Sequence, residues 1–294
     1  TKLPTISIVT DVGKLFGPSE GVYVRREDWN QQPAHVEMLL PDGSPGFSAP
    51  AGLEIQGGTS PNDAGSTWKS KKLSLRLVFK GAFGARSLEY PLFEDSPVGR
   101  FNTLILDNGL NYVWHYNGGV EDQRIRAQYV RDAFVSDLQR IISGTSAHWR
   151  FMHLYLNGLY WGITGVHERP DDKFAAQYFG GDAAEYDVLR HNANKVVAGS
   201  NTGYNQMFAL ARSGLSNHAV YESLQQLLDL PWFIDYMIVN FWVGNTDWAH
   251  QNWYAARRRA PDGRWRYLSW DAEHVLKNPN QDSTTLNNSG GPTE

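Results

Sequence analysis

Residues 244–273 read GNTDWAHQNWYAARRRAPDGRWRYLSWDAE, and the way this stretch folds decides most of what the chain can be. Pro261-Asp262-Gly263 is a turn signal between two strand-like runs, 252–257 and 264–269. A Pro-Asp turn closed by a left-handed Gly263 pairs residues about equally far from Asp262. Asn252 then falls within a residue of lying opposite Asp271. Asp247 precedes the first strand, in a loop. Asp271 and Glu273 are two apart, so on a continuing strand they face the same way. The hairpin therefore predicts three acids and an amide gathered at its open end, an arrangement suited to a divalent metal ion and to proton transfer.

The rest of the chain narrows the classes. Its 294 residues allow one large domain or two lobes with substantial cores. An apolar fraction of 41% fits an ordinary globular protein, and a net charge of −4 gives no reason to expect nucleic acid or an anionic membrane as partner. The longest apolar run, 233–243, is broken by Asp235 and Asn240 and is too short to span a bilayer. There is no cysteine, which excludes disulfides, thiolate metal sites and a thiol nucleophile. No signal peptide is visible, and the start at Thr1 reads as that of a mature or excised domain. The many tryptophans and tyrosines read mainly as core and rim packing.

Strand patterns dominate the first half. Residues 5–9 read as a strand, and Val36, Met38 and Leu40 alternate as a half-buried one. Leu53 and Ile55 continue the alternation into the Gly-rich segment 56–60, of the kind that lets backbone approach a ligand. Leu73, Leu75, Leu77 and Phe79 form one face of a strand, with Lys72, Ser74 and Arg76 opposite. A cationic strand face after a Gly-rich loop suits phosphate, although most such charges are merely solvated. Residues 129–142 read as a helix carrying Val130, Phe134, Leu138 and Ile141, with Gly144 as its stop. Asn157-Gly158 marks a hairpin between 151–156 and 159–166. Residues 190–205 read as a loop. Helices follow at about 204–213 and 218–229, and Pro231 opens another that is apolar on nearly all sides, as a buried helix would be. The order predicts an α+β fold: a mostly antiparallel sheet first, helices second, with a seam near 168–172.

The spacing Asp247-x-x-x-x-Asn252, with Asp271 on a following strand, is that of protein-kinase active sites. There one Asp orients the acceptor hydroxyl and takes its proton, while the Asn and a second Asp hold magnesium. The usual flanking tags are missing: Asn245-Thr246 precedes Asp247, and Ala272-Glu273 follows Asp271. The bland alternative has Asp247 and Asn252 closing a turn and Asp271 paired with Arg257 or Arg266.

Longer motifs resemble the CotH family of divergent secretory-pathway kinases, named after a spore-coat protein. They run in order from LPTISIVTD near the start through IQGGTS, KSKKLSLRLVF, LEYPLF, YVRDAFVSDL and LYLNGLYWGITGVHER to GNTDWAHQNWYAARR and WRYLSWDAE. The chain is most similar to CotH-like domains of large exported bacterial proteins. The resemblance implies a divergent kinase-like, two-lobed α+β fold, with a β-rich N-lobe over 1–168 and a mainly helical C-lobe over 169–294. It implies ATP and magnesium, with manganese as the alternative ion, and phosphorylation of Ser or Thr on secreted or cell-envelope proteins. Asp247 becomes the catalytic aspartate. Asn252 and Asp271 become metal ligands, with Glu273 a further one, standing where the family commonly has Asp. Lys72 or Arg76 supplies the phosphate-binding cation, and the neighbourhood of Glu168 borders the adenine, its carboxylate serving there or in a structural ion pair. The helix over 129–142 would partner that cation through Asp132 or Asp137. The chain stops soon after Asp271, whereas the resemblance implies further helices there, so either those are missing from this sequence or this member is short. Two other uses stay open: AMP transfer from a flipped ATP, and a non-catalytic nucleotide- or polymer-binding envelope domain with Trp114, Trp248 and Trp253 as ligand surface.

Overall fold

Strand alternation in the first half closes on itself. In the computed structural model, which describes residues 2–24, 31–57, 70, 72–116 and 121–281, the chain divides into two compact units. One comprises Thr1–Tyr129 with His148–Arg169, the other Val130–Ala147 with Pro170–Glu294. The Gly-rich segment from residue 58 onward lies outside the described residues.

The first unit contains β1 (Thr5–Thr10), α1 (Val12–Phe16), β2 (Gln32–Leu39), β3 (Ser48–Gln56), β4 (Ser74–Val78), β5 (Leu88–Glu89), β6 (Arg100–Phe101), β7 (Thr103–Asp107), α2 (Glu121–Ile125), β8 (Trp149–Leu156) and β9 (Leu159–Glu168). Seven strands form a closed barrel in the order β1-β2-β3-β4-β7-β9-β8, while β5 and β6 pair separately. Every second side chain points inward: Ile6, Ile8, Val36, Leu53, Leu75, Leu77, Leu104, Leu106, Leu154 and Val166 are all essentially inaccessible. The barrel closes through a parallel pairing of β1 with β8, Ile8 opposite Leu156. Asn157 and Gly158, both left-handed, make the tight turn between β8 and β9.

The second unit contains α3 (Arg131–Ser143), α4 (Asp172–Phe179), β10 (Tyr186–Arg190), β11 (Asn192–Ala198), α5 (Thr202–Arg212), α6 (His218–Gln225), α7 (Leu230–Trp242), β12 (Trp253–Arg258) and β13 (Arg266–Ser269). Its four-stranded sheet runs β11-β10-β12-β13. An aromatic core built from Tyr204, Tyr236, Trp248, Trp253, Trp265 and Tyr267 packs on it.

This architecture overturns the kinase-like α+β expectation. Among the described residues there are seven α-helices against thirteen strands. The first unit is a closed barrel, and the second is organised on a sheet instead of being mainly helical. Two causes explain the misreading, one local and one long-range. The residues read as loop, from 190 on, contain the β10–β11 turn and the whole of β11, because His191 adopts a left-handed backbone and turns the chain in one step. The pairing of β1 with β8 joins segments too distant in sequence for any local pattern to reveal.

The helices also turn differently than their apolar spacing suggests. On α3, Phe134 and Ile141 are exposed, whereas Arg131, Ala133, Val135, Ser136 and Gln139 are buried. Gln139 donates from Nε2 to Tyr267 O (2.8 Å) and accepts at Oε1 from Ser269 N (2.8 Å). One amide thus does for β13, the outermost strand of its sheet, what a neighbouring strand would do. On α7, Ile234, Ile238 and Trp242 are exposed, so that helix is buried on one side only.

Candidate functional site

The β12–β13 pairing places Trp253 opposite Ser269 and Ala256 opposite Arg266. Continued by one residue, that register sets Asn252 against Trp270, next to Asp271. The turn itself differs from expectation. Gly263 is not left-handed; its N–H donates to Ala260 O (2.9 Å). Glycine is required by close approach, since a Cβ there would lie 1.9 Å from Arg258 O. β13 ends at Ser269 and Asp271 takes a left-handed backbone (φ 56°). The alternation that would turn Glu273 to the same side as Asp271 is therefore not continued.

Asp247 lies at the centre of the open end. Its Oδ2 accepts from Asn252 Nδ2 (3.0 Å), and its backbone carbonyl accepts from the same amide nitrogen (2.9 Å). Its Oδ1 accepts from Gln251 Nε2 (2.6 Å), and His250 Nε2 lies 3.5 Å away. The Asp247 N–H donates to Asn245 Oδ1 (3.2 Å), and Asn245 in turn donates to Asn240 Oδ1 (3.0 Å) on α7. Two buried asparagines thus connect a helix interior to the acid.

Asn252 is also left-handed (φ 62°), a conformation Asn tolerates better than most residues. Its N–H donates to His191 Nδ1 (2.9 Å). Burial, reinforced by the charges of Arg190 and Lys195, lowers the His191 pKa to about 4, against the pull of Asp247, so the ring is neutral and its Nδ1 is free to accept. With both amide hydrogens and the backbone donor engaged, Asn252 Oδ1 accepts no hydrogen bond among the described residues, although the side chain is buried.

The loops carrying Asp247 and Asp271 are joined. Thr246 donates to His274 O from both N (3.1 Å) and Oγ1 (3.1 Å), and Leu276 N donates to Val243 O (2.8 Å). Helix α3 fixes the second loop from its first turn. Asp132 Oδ1 accepts from Ala272 N (3.0 Å), and Arg131 Nη1 lies 3.5 Å from Glu273 O. Asp137, the other acid considered on this helix, pairs with Arg140 (2.8 Å). Glu273 itself is buried. Arg257 donates to Gly263 O (3.0 Å) and Arg266 to Asp229 (2.8 Å), so neither pairs with Asp271.

The remaining candidates belong to the first unit. Arg76 forms an ion pair with Glu54 across the β3–β4 ladder. The Lys72 ammonium donates to Ile163 O. Burial lowers its pKa to about 8, partly offset by Asp107. Glu168 Oε2 is buried and accepts from His148 N (2.9 Å), with His148 Nδ1 also at 2.9 Å. Trp248 and Trp253 are buried in the aromatic core, so they form no ligand surface; Trp114 is 65% exposed.

Asn240, Asn245, Gln139 and His191 escaped the sequence reading. Only the His191-Asn192 pair after a β-branched and apolar run offered a signal, that of a tight turn.

An acid and an amide locked together, with a second acid on a loop joined to theirs, make an all-oxygen donor set that fits a hard cation. Among the described residues no three His, Cys, Asp or Glu side chains are grouped to hold a metal, so such an ion would rest on the Asp271 carboxylate and the Asn252 oxygen. The class is thus a β-rich protein of two units, the second bearing a candidate cation site at the open end of a hairpin. The chain belongs to the CotH kinase protein family, whose model matches residues 65–293. That membership suggests a kinase-like function. No curated protein matches the chain. No helix among the described residues is long and apolar enough to cross a membrane.

Proposed function

We propose that this protein is an ATP- and magnesium-dependent phosphotransferase acting on Ser or Thr hydroxyls of secreted or cell-surface proteins. The observation that carries the reading is the state of Asn252. Its amide nitrogen steadies the Asp247 carboxylate, while its Oδ1 accepts no hydrogen bond among the described residues. Asn252 Oδ1 and the Asp271 carboxylate would hold the ion. Magnesium-bound ATP would supply the phosphoryl group and neutralise its charge. Asp247, gripped at both oxygens and 30% exposed, orients the acceptor hydroxyl. It takes the proton that the hydroxyl loses as its oxygen bonds to phosphorus and the bond to ADP breaks. Of the two first-unit candidates for a phosphate-binding cation, Arg76 is paired with Glu54 and Lys72 donates to Ile163 O.

The test is incubation with ATP labelled at the γ or the α position, for the wild type and for Asp247→Asn and Asp271→Asn. The expected result is γ-label incorporation that requires magnesium and is lost in both variants. Incorporation of the α-label instead would assign AMP transfer, and undiminished γ-label in Asp271→Asn would remove that residue from the ion's ligands.

A further inference from the structure

The turn end of the β12–β13 hairpin carries a second constellation, unrelated to the acids. A cleft of about 130 Å³ is lined by Arg258, Arg264 and Arg266, with Phe179, Tyr186, Ala256, Asp262 and Gly263 completing it. Two of the arginines are pinned by one nitrogen each. Arg258 Nε donates to Glu185 Oε2 (2.7 Å) and Arg266 Nε to Asp229 Oδ2 (2.8 Å). The Arg266 guanidinium also lies over the rings of Phe179 (4.7 Å) and Trp232 (5.5 Å). The terminal nitrogens of both side chains make no hydrogen bond among the described residues, and Arg264 makes no ion pair there.

A guanidinium has five N–H donors in a fixed fork, and its strongest partners are carboxylate and phosphate oxygens. Two heads are already oriented, so ordering them on binding costs little conformational entropy. The turn beneath them is fixed too: Arg257 Nε donates to Gly263 O (3.0 Å), and residue 263 has no room for a side chain. The size of the cleft and the acids around it set the ligand. Asp262 lines the wall, and Glu185 and Asp229 stand behind the arginines. A run of phosphates, as in a nucleic acid, would meet those acids and an overall charge of −4. A single compact oxyanion on an otherwise uncharged segment would not.

We infer that this cleft is a recognition site for one anionic side chain of a peptide or protein partner, a carboxylate or a phosphorylated hydroxyl held by Arg258, Arg264 and Arg266. It makes no use of Asp247, Asn252 or Asp271, and it stands whether or not those residues transfer phosphate.

The experiment is fluorescence anisotropy of three labelled octapeptides that differ only in one central residue: phosphoserine, glutamate or glutamine. Nucleotide and metal are absent. The expected result is that an anionic peptide binds about tenfold or more tighter than the glutamine peptide, as one charge-assisted contact would give. Binding weakens with salt, and Arg264→Glu removes the preference. Arg264 is exposed and unpaired, so this variant keeps the fold, which circular dichroism checks; Arg264→Lys retains part of the preference. Phosphoserine ahead of glutamate identifies phosphate as the recognised group, and parity identifies the carboxylate. Equal binding of the glutamine peptide, or an unchanged preference in folded Arg264→Glu, overturns the inference.

Discussion

The two ends of the β12–β13 hairpin are built in opposite ways. At the open end the polar groups are committed to one another, with Asn252 Oδ1 left over: Asp247 to Asn252 and Gln251, Asn245 to Asn240, Asn252 N to His191. Two of the backbones there, at Asn252 and Asp271, take left-handed conformations that side chains other than glycine seldom adopt. At the turn end two of the three arginines are held by single nitrogens, and their terminal donors make no hydrogen bond among the described residues. The first end is specified down to individual atoms, as a site must be if it acts on a reacting bond. The second has its charges fixed and its geometry open, as suits recognition of a group that arrives from outside.

The sharpest way to break this contrast is to neutralise each end in turn. Asp247→Asn should lower γ-phosphate transfer by about 10²–10⁴-fold, the range of a lost general base. Arg264→Glu should leave transfer to a short uncharged acceptor peptide as it was; steady-state labelling rates read both. If Arg264→Glu abolishes transfer to that peptide, the two ends are not separate.

Next in size is the support given by α3. Asp132→Ala removes the acceptor for Ala272 N and should cost about 10–100-fold in metal-dependent transfer, as loss of an orienting partner does. The loss should fall on the magnesium requirement more than on the acceptor KM. Asp132→Asn keeps an acceptor oxygen and should recover most of the rate. A uniform loss in both variants, tracking thermal stability, would make Asp132 merely structural.

A smaller effect tests the rigidity of the turn. Gly263→Ala forces a methyl against Arg258 O and should destabilise the second unit by about 2 kcal/mol, read by denaturant titration. It should also weaken the anionic octapeptides.

The smallest effect separates the cations by pH. Lys72 is depressed to about 8, so its charge is complete well below that pH and is lost as pH rises through it. Arginine stays charged throughout. Between pH 7 and 9, affinity for ATP should fall while affinity for the anionic octapeptide holds. Lys72→Arg should flatten the ATP profile; an unchanged slope would exclude Lys72 as the phosphate cation.

Much of this was legible wherever a local rule held. The Asn157-Gly158 turn, the period-two runs of β1, β4 and β8, and the register of β12 against β13 all follow from spacing, because turn chemistry and pleat act over a few residues. The helix of α3 was legible but its orientation was not: apolar spacing names a stripe, and the buried side was chosen by Gln139 completing the bonds of β13. The β10–β11 hairpin was lost because its turn uses His191 where Gly or Asn is the usual signal. The identities of Asp247, Asn252 and Asp271 stood out by spacing, while the left-handed backbones that aim two of them did not. The arginine cleft was invisible because Phe179, Tyr186 and the residues of the hairpin meet only through tertiary packing.

The closing pair of the barrel has a practical consequence. The family match begins at residue 65, after β1, β2 and β3 have been made. A fragment cut to that boundary would leave four strands, β4-β7-β9-β8, with β4 and β8 as two bare edges. Their unpaired N–H and C=O groups, and the uncovered Leu75, Leu77, Met152 and Leu154, would template aggregation. The segment that defines the family is shorter than the segment that must fold, so expression trials should keep Thr5–Thr10 in every design.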